Sequence, residues 1–282
     1  MSKFLSSVAS IEFDSMVKHA YQGVGKMRSS VTQRSGVVGD TYKWRLMGRG
    51  LANQKASQAD VTPMDVSHNL ITTLLENWNA PEYTDIFDQA EVNFDEKSEL
   101  AKTIAMAMGR REDQLIFNAM GNIEAAAGAQ HSPVAVGGVG MTVEKIRIAG
   151  AAFDGVGMSN EGRCIAWNKT QKQQLLDSTL ATSGDFVSVQ SLVSGQIDHF
   201  YGFSFKLIDD RIEGGLPGGG TADATAYAYH TDAVGLATGI DVKTEINYIA
   251  QKTSWLCNGL LKAGSSVRDA GGVIEIHSDD TA

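Results

Sequence analysis

The sequence predicts a mixed α+β protein. Stretches in which apolar and polar residues alternate strictly occur on both sides of one long segment with helical spacing, and strands and helices do not alternate as they would in a doubly wound sheet. The order along the chain is an arm, a hairpin, a long helix, a mixed middle region and returning strands. With 282 residues, 43% hydrophobic and 20% charged, the chain has enough apolar material for a substantial core.

Residues 1 to 35 open with helix-compatible stretches around Phe4, Leu5, Val8, Ile11, Phe13, Met16 and Val17, then turn polar through Gly23 to Ser30. They read as a partly helical arm, too polar to form a domain, that lies on something else. From Gly39 the period switches to two. Tyr42, Trp44 and Leu46 point one way and Lys43 and Arg45 the other, and a second strand-like stretch runs from Asn69 to Trp78. Arg49 to Asp60, between them, is polar and without apolar period, so the economical reading is a long hairpin with a mobile tip. A two-stranded ribbon is marginal alone in water and leaves edge groups unpaired, so it needs a neighbour.

Asp95 to Gly121 is the strongest helical signal. Asp95 is a candidate cap, acids crowd the first turn, Leu100, Ile104, Met108, Leu115 and Ala119 recur at helical spacing, and Gly121 is a plausible stop. At about 1.5 Å per residue it would run about 40 Å, a spine for the whole body. The apolar stripe breaks at Arg111 and Glu112, which predicts solvent or a polar partner there. Glu96, Glu99, Glu112 and Asp113 beside Lys97, Lys102, Arg110 and Arg111 read as a salt-bridge lattice within the helix or to a neighbour.

Glu124 to Pro133 and Gly137 to Gly140 read as linker. A helix is expected from Thr142, a buried strand over Arg163 to Trp167, and a capped helix over Asn168 to Asp177. Tyr201 to Ile208 alternates again. Gly214 to Gly220 is too rich in glycine for an element and reads as a flexible excursion before a strand at Thr225 to His230. Further strands are expected at Val242 to Ile249, around Trp255 to Cys257 and Leu260–Leu261, and at Gly272 to His277.

No run of about 18 apolar residues suggests a membrane span, and the start lacks the plan of a secretion signal, so folding in a cytoplasm is expected. Cys164 and Cys257 each sit in apolar stretches and read as buried hydrophobes in a reduced compartment rather than as a disulfide. A net charge of −9 disfavours a sequence-reading DNA binder, though an acidic lining suits a container whose contents must slide. The six histidines are scattered without metal-ligand spacing. Gly23-Val24-Gly25-Lys26 is not a phosphate loop, because Ala20 stands at the first glycine position, Met27 replaces the hydroxyl and no buried strand precedes it. No Gly-x-Ser-x-Gly elbow exists to anchor acyl transfer. Neither catalytic residue nor cofactor or metal is expected.

The stretch from Asn93 through Asp95-Glu96-Lys97-Ser98-Glu99-Leu100-Ala101 to Gly109-Arg110-Arg111-Glu112-Asp113-Gln114 resembles the spine-helix region of tailed-bacteriophage major capsid proteins. Gly215-Leu216-Pro217, Ala226 to Gly239 and Glu245 to Tyr248 resemble the part of those proteins that closes the middle domain. The resemblance implies the Hong Kong 97-type fold: an arm at 1–38, an extended loop at 39–84, a peripheral domain at 85–150 and 239–282, and an axial domain at 151–238. It implies a virion shell of pentamers and hexamers around double-stranded DNA, assembled in the host bacterial cytoplasm. The implied site residues are the subunit contacts Tyr42, Trp44, Arg49, Lys55 and Asp60 on the loop, the spine-helix residues Glu99, Arg110, Arg111, Glu112 and Asp113, and Gly214, Gly215, Gly218, Gly219 and Gly220 in an axial loop projecting near an axis or onto a neighbour. Implied partners are further copies of the chain, a separate scaffolding protein and portal, a decoration protein in some shells, and non-specific proximity to packaged DNA, with no membrane. The competing readings are a minor head or decoration protein, and an α/β hydrolase using the Asp209-Asp210 turn.

Overall fold

The computed structural model describes residues 23–87, 95–123, 131–177, 199–209, 211 and 213–282. The helix-compatible stretch from Phe4 to Val17 and the linker over 124–130 lie outside these residues.

Two sheets organise the molecule. The four-stranded sheet has the order β1-β9-β10-β4, formed by β1 (Thr32–Arg34), β9 (Val234–Ile249), β10 (Ser254–Val267) and β4 (Glu76–Asp85). The five-stranded sheet has the order β11-β8-β5-β7-β6, from β11 (Val273–Ser278), β8 (Ala224–His230), β5 (Arg163–Trp167), β7 (Phe203–Leu207) and β6 (His199–Phe200). A separate antiparallel ribbon pairs β2 (Thr41–Met47) with β3 (His68–Leu74).

The helix α1 spans Glu96–Gly121, so the expected stop at Gly121 holds, with Asn122 as its C-cap. Asp95 occupies the N-cap position but its side chain makes no capping hydrogen bond, leaving only its charge to favour the helix start. The second half of α1 lies between the two sheets. Ile116 and Met120, both fully buried, pack with Cys164, Ala166 and Tyr227 of the five-stranded sheet and with Leu236 and Leu261 of the four-stranded one. Each such side chain stabilises the core by about 2 kcal/mol. Both cysteines are buried and free, as their apolar settings predict.

Alternation explains why β5 and β8 are buried throughout. Cys164, Ala166, Tyr227 and Tyr229 face α1, while Ile165, Trp167, Ala226 and Ala228 face a second core. That core is covered by α2 (Val143–Val156) through Ile146, Ala149 and Phe153, and by α3 (Lys169–Asp177) through Leu175. Both helices are capped: Thr142 accepts from the Lys145 N–H at 3.4 Å, and Asn168 and Gln171 exchange hydrogen bonds at 2.8 and 3.0 Å.

Several expectations change. The stretch from Asn69 to Trp78 is two strands, not one. At Leu75 the chain leaves the ribbon, because Leu75 is buried with Trp44 and Ala237 and its N–H bonds the Asp40 carbonyl at 2.9 Å. From Glu76 it pairs with β10 instead, so only residues 41–74 form the hairpin that was expected to run from 39 to 84. Tyr201 and Gly202, read as strand, form the two-residue turn between β6 and β7, with φ of 50° and 79°. Of the residues read as linker, 137–140 are fixed: the buried Lys145 ammonium donates to the Val139 carbonyl, as it does to those of Val136 and His277, at 2.8–2.9 Å, and Val134 just before them bridges Ile276. Finally, β11 was counted with the returning strands of 239–282, but it pairs with β8 and puts Ile274 and Ile276 into the second core.

Candidate functional site: an exposed ribbon and a charged helix joint

The base of the ribbon is built into its own chain. Trp44 is buried, donates its Nε1–H to Thr73 Oγ1 at 2.8 Å, and lies under the Arg268 guanidinium 4.8 Å from its ring centre. Thr73 in turn hydrogen-bonds Ser266 on β10. Tyr42 meets Trp44 edge-on at 4.8 Å, so the face with Tyr42, Trp44 and Leu46 does turn toward the body.

The opposite face is left in water. Thr41, Lys43, Arg45 and Met47 on β2 and His68, Leu70, Thr72 and Leu74 on β3 are all exposed. Leu70 and Leu74 are 60% and 68% exposed. Beyond the strands, residues 48–67 form no strand or helix, and Leu51, Val61 and Met64 are exposed along with Lys55 and Asp60. Arg49 touches the body by one hydrogen bond, to the Val156 carbonyl at 3.1 Å, at the end of α2. The ribbon, residues 41–74, carries four basic side chains against Asp60 and Asp65, a balance of +2, so with a chain net charge of −9 the remainder stands at −11.

At the centre of α1 the broken stripe has a partner from the same chain. Residues 23–28 cross the helix where Gly25 meets Gly109; a Cβ on Gly25 would stand 2.5 Å from the Gly109 carbonyl oxygen. The Asp113 carboxylate, fully buried, accepts the backbone N–H of Lys26 and of Met27, each at 2.9 Å, and the Arg211 guanidinium at 2.5 Å. Glu112 accepts from Arg28 at 3.1 Å, and its carboxyl is held above the usual range mainly by burial. Arg110 donates to the Gly23 carbonyl, and Arg111 stacks 4.1 Å over the Trp78 ring and pairs with Glu213 at 2.7 Å. Glu99 pairs with Lys102 on the same helix at 2.8 Å. The expected lattice along one helix face is thus mostly a joint between the helix, the segment before β1 and the loop after β7.

The glycine run does not project as expected at its first residues. Gly214 is buried with φ of 69°, where a Cβ would stand 2.3 Å from the Arg110 carbonyl oxygen, and Gly215 packs on the Arg211 carbonyl. Gly218, Gly219 and Gly220 are exposed, yet they are tied rather than free: the Gly218 carbonyl accepts from Thr221 and the Gly220 N–H donates to Asp280, each at 3.0 Å. Sequence reasoning missed Lys26, Arg28, Arg211 and Asp241, because no local pattern joins residues as far apart as Arg28 and Asp241. Among the described residues no cluster of three metal-ligating side chains occurs, and no helix is long and apolar enough to cross a membrane.

A two-sheet body bearing a ribbon whose outer face and apolar tip its own surface does not cover is the anatomy of a shell subunit. The chain belongs to the phage capsid protein family, whose model matches residues 5–280. The fold is shared with solved capsids. The chain resembles the capsid protein of the cyanophage P-SCSP1u (TM-score 0.76, 14% identity, 99% of this chain and 95% of that one). It is also similar to the head protein of Helicobacter pylori bacteriophage KHP40 (TM-score 0.72, 13% identity, 97% and 96%). A third similar chain is that of an empty GTA particle capsid (TM-score 0.71, 13% identity, 99% and 98%). No curated protein sequence matches. The chain is a major capsid protein, a structural component of the virion shell, and family membership does not favour the decoration-protein reading.

Proposed function

We propose that copies of this chain close into pentamers and hexamers of an icosahedral shell around double-stranded DNA, and that the ribbon is the element that joins them. Apolar and basic residues of the ribbon are exposed in one chain while its base is locked, and this observation carries the reading. Laid on an adjoining copy, Leu70, Leu74, Leu51 and Met64 leave water, and Lys43, Arg45, Arg49 and Lys55 meet a chain whose net charge outside the ribbon is −11. Head-to-tail contacts of this kind generate rings, and many weak contacts per subunit give the lattice its strength.

In this reading the four-stranded sheet with α1 is the peripheral unit and the five-stranded sheet the axial one, with Gly218 to Gly220 at its rim. Residues 41–74 supply the extended-loop contacts through Arg49, Lys55 and Asp60, whereas Tyr42 and Trp44 set the angle of the ribbon. A separate scaffolding protein, a portal and in some shells a decoration protein complete the particle, which assembles in the host bacterial cytoplasm. The test is deletion of Leu51 to Ala59. The variant should be soluble, folded and unable to form particles by electron microscopy and sedimentation, and normal shells from it would contradict the role.

A further inference from the structure

At the joint on α1 one guanidinium serves two carboxylates. Arg28 donates to both oxygens of Asp241 on β9, at 2.6 and 2.8 Å, and to Glu112 at 3.1 Å. The two-bond pairing with Asp241 is the stronger. Asp241 is the exposed partner, with 58% of its side chain in water, whereas the Glu112 side chain keeps only 4%. Glu112 is therefore a carboxylate removed from water with a shared counter-charge.

The other charged groups facing the joint do not complete it. Asp113, next on the helix, is a second carboxylate committed to Arg211 and to two backbone N–H groups; burial raises its carboxyl too, against the pull of those partners. On the crossing segment, Lys26 is held by Asp209 at 2.8 Å and by the Leu207 carbonyl. Arg111 turns to Trp78 and Glu213, and Arg110 to the Gly23 carbonyl. Burial raises the Glu112 pKa; Arg28 opposes the rise, and Asp241 and Asp113 add to it.

We propose that the joint between residues 23–28 and α1 is a proton-operated clamp, in which Glu112 takes up a proton as the pH falls and the segment is thereby held more tightly on the helix. With the segment lifted, Glu112 meets water and titrates as an ordinary carboxylate. With it seated, the group binds a proton at higher pH. The seated form therefore gains stability as the pH falls from above the raised value toward the ordinary carboxylate range, and loses that gain as the pH rises again. Acid thus strengthens this contact, the reverse of what a simple salt bridge would do.

Met27 reports the state of the clamp. Its side chain is fully buried, so hydrogen peroxide reaches the sulfur only when the segment lifts, while Met47 and Met64, 67% and 52% exposed, serve as references in the same chain. The experiment is peroxide oxidation of the purified protein, with sulfoxide at Met27 measured against Met47 by mass spectrometry. From about pH 7.5 to about pH 5 the Met27 rate should fall about threefold relative to Met47. Glu112→Gln should be slow at both pH values, with a smaller pH response than the wild type. Asp241→Asn, which releases Arg28 toward Glu112, should shrink the response and tests the same idea should the first variant fail to fold. An unchanged Met27 rate in the wild-type protein, or an undiminished response in either folded variant, overturns the clamp.

Discussion

Gly25 and Gly109 are in contact because nothing larger fits between two crossing backbones, and the hydrogen bonds of Asp113 to the Lys26 and Met27 N–H groups depend on that approach. Gly25→Ala should therefore cost about 1–3 kcal/mol, since the added carbon would have to displace backbone. Gly155, also in a helix, has open space around its Cβ position, and Gly155→Ala should stabilise by about 0.5–1 kcal/mol through the unfolded chain. Urea unfolding of the two variants checks both signs together; equal effects would mean that the crossing is looser than the structure shows. Neither role was legible in the sequence, where Gly23-Val24-Gly25-Lys26 stands out only as a failed phosphate loop.

The ribbon shows which kind of element a sequence reveals. The period of two over Tyr42 to Leu46 suffices to assign both its faces, because a half-buried strand writes its environment into alternate residues. The same logic gives α1 its limits to within a residue. It fails at Leu75, where one buried leucine ends one pairing and starts another, and at the charged joint, where Glu112 and Asp113 take their partners from distant segments. Trp44 is the pivot between ribbon and body. Trp44→Ala should cost about 3–5 kcal/mol by leaving a cavity against Ala237 and Leu75 and removing the donor to Thr73. Hydrogen exchange of the β3 amides should accelerate well above that of β8, and equal protection in the variant would show that the ribbon is held by something other than its base.

At the scale of the whole molecule, charge and apolar surface are distributed unevenly between one projecting element and the rest. The ribbon carries a net charge of +2, and the remainder is acidic at −11. Association through the ribbon should accordingly slow as salt is raised from about 50 mM to about 500 mM, because the attraction that steers the encounter is screened over a shorter distance. Light scattering during assembly measures this. Rates that rise with salt would assign the encounter to apolar contact alone. The acidic remainder also fits a container for DNA, since it offers the packed polymer little to hold.

The position of β11 bears on when this molecule can exist during its own synthesis. The five-stranded sheet lacks its outer member beside β8 until Val273 to Ser278 have been made, by which stage the ribbon has long since left the ribosome. On the role proposed for the ribbon, a nascent chain displays its joining element before its body can hold shape, and neighbouring polysomes would tangle if each contact were strong. Weak, many-fold contacts are the solution that such a chain order favours, because they bind only when whole subunits present them together.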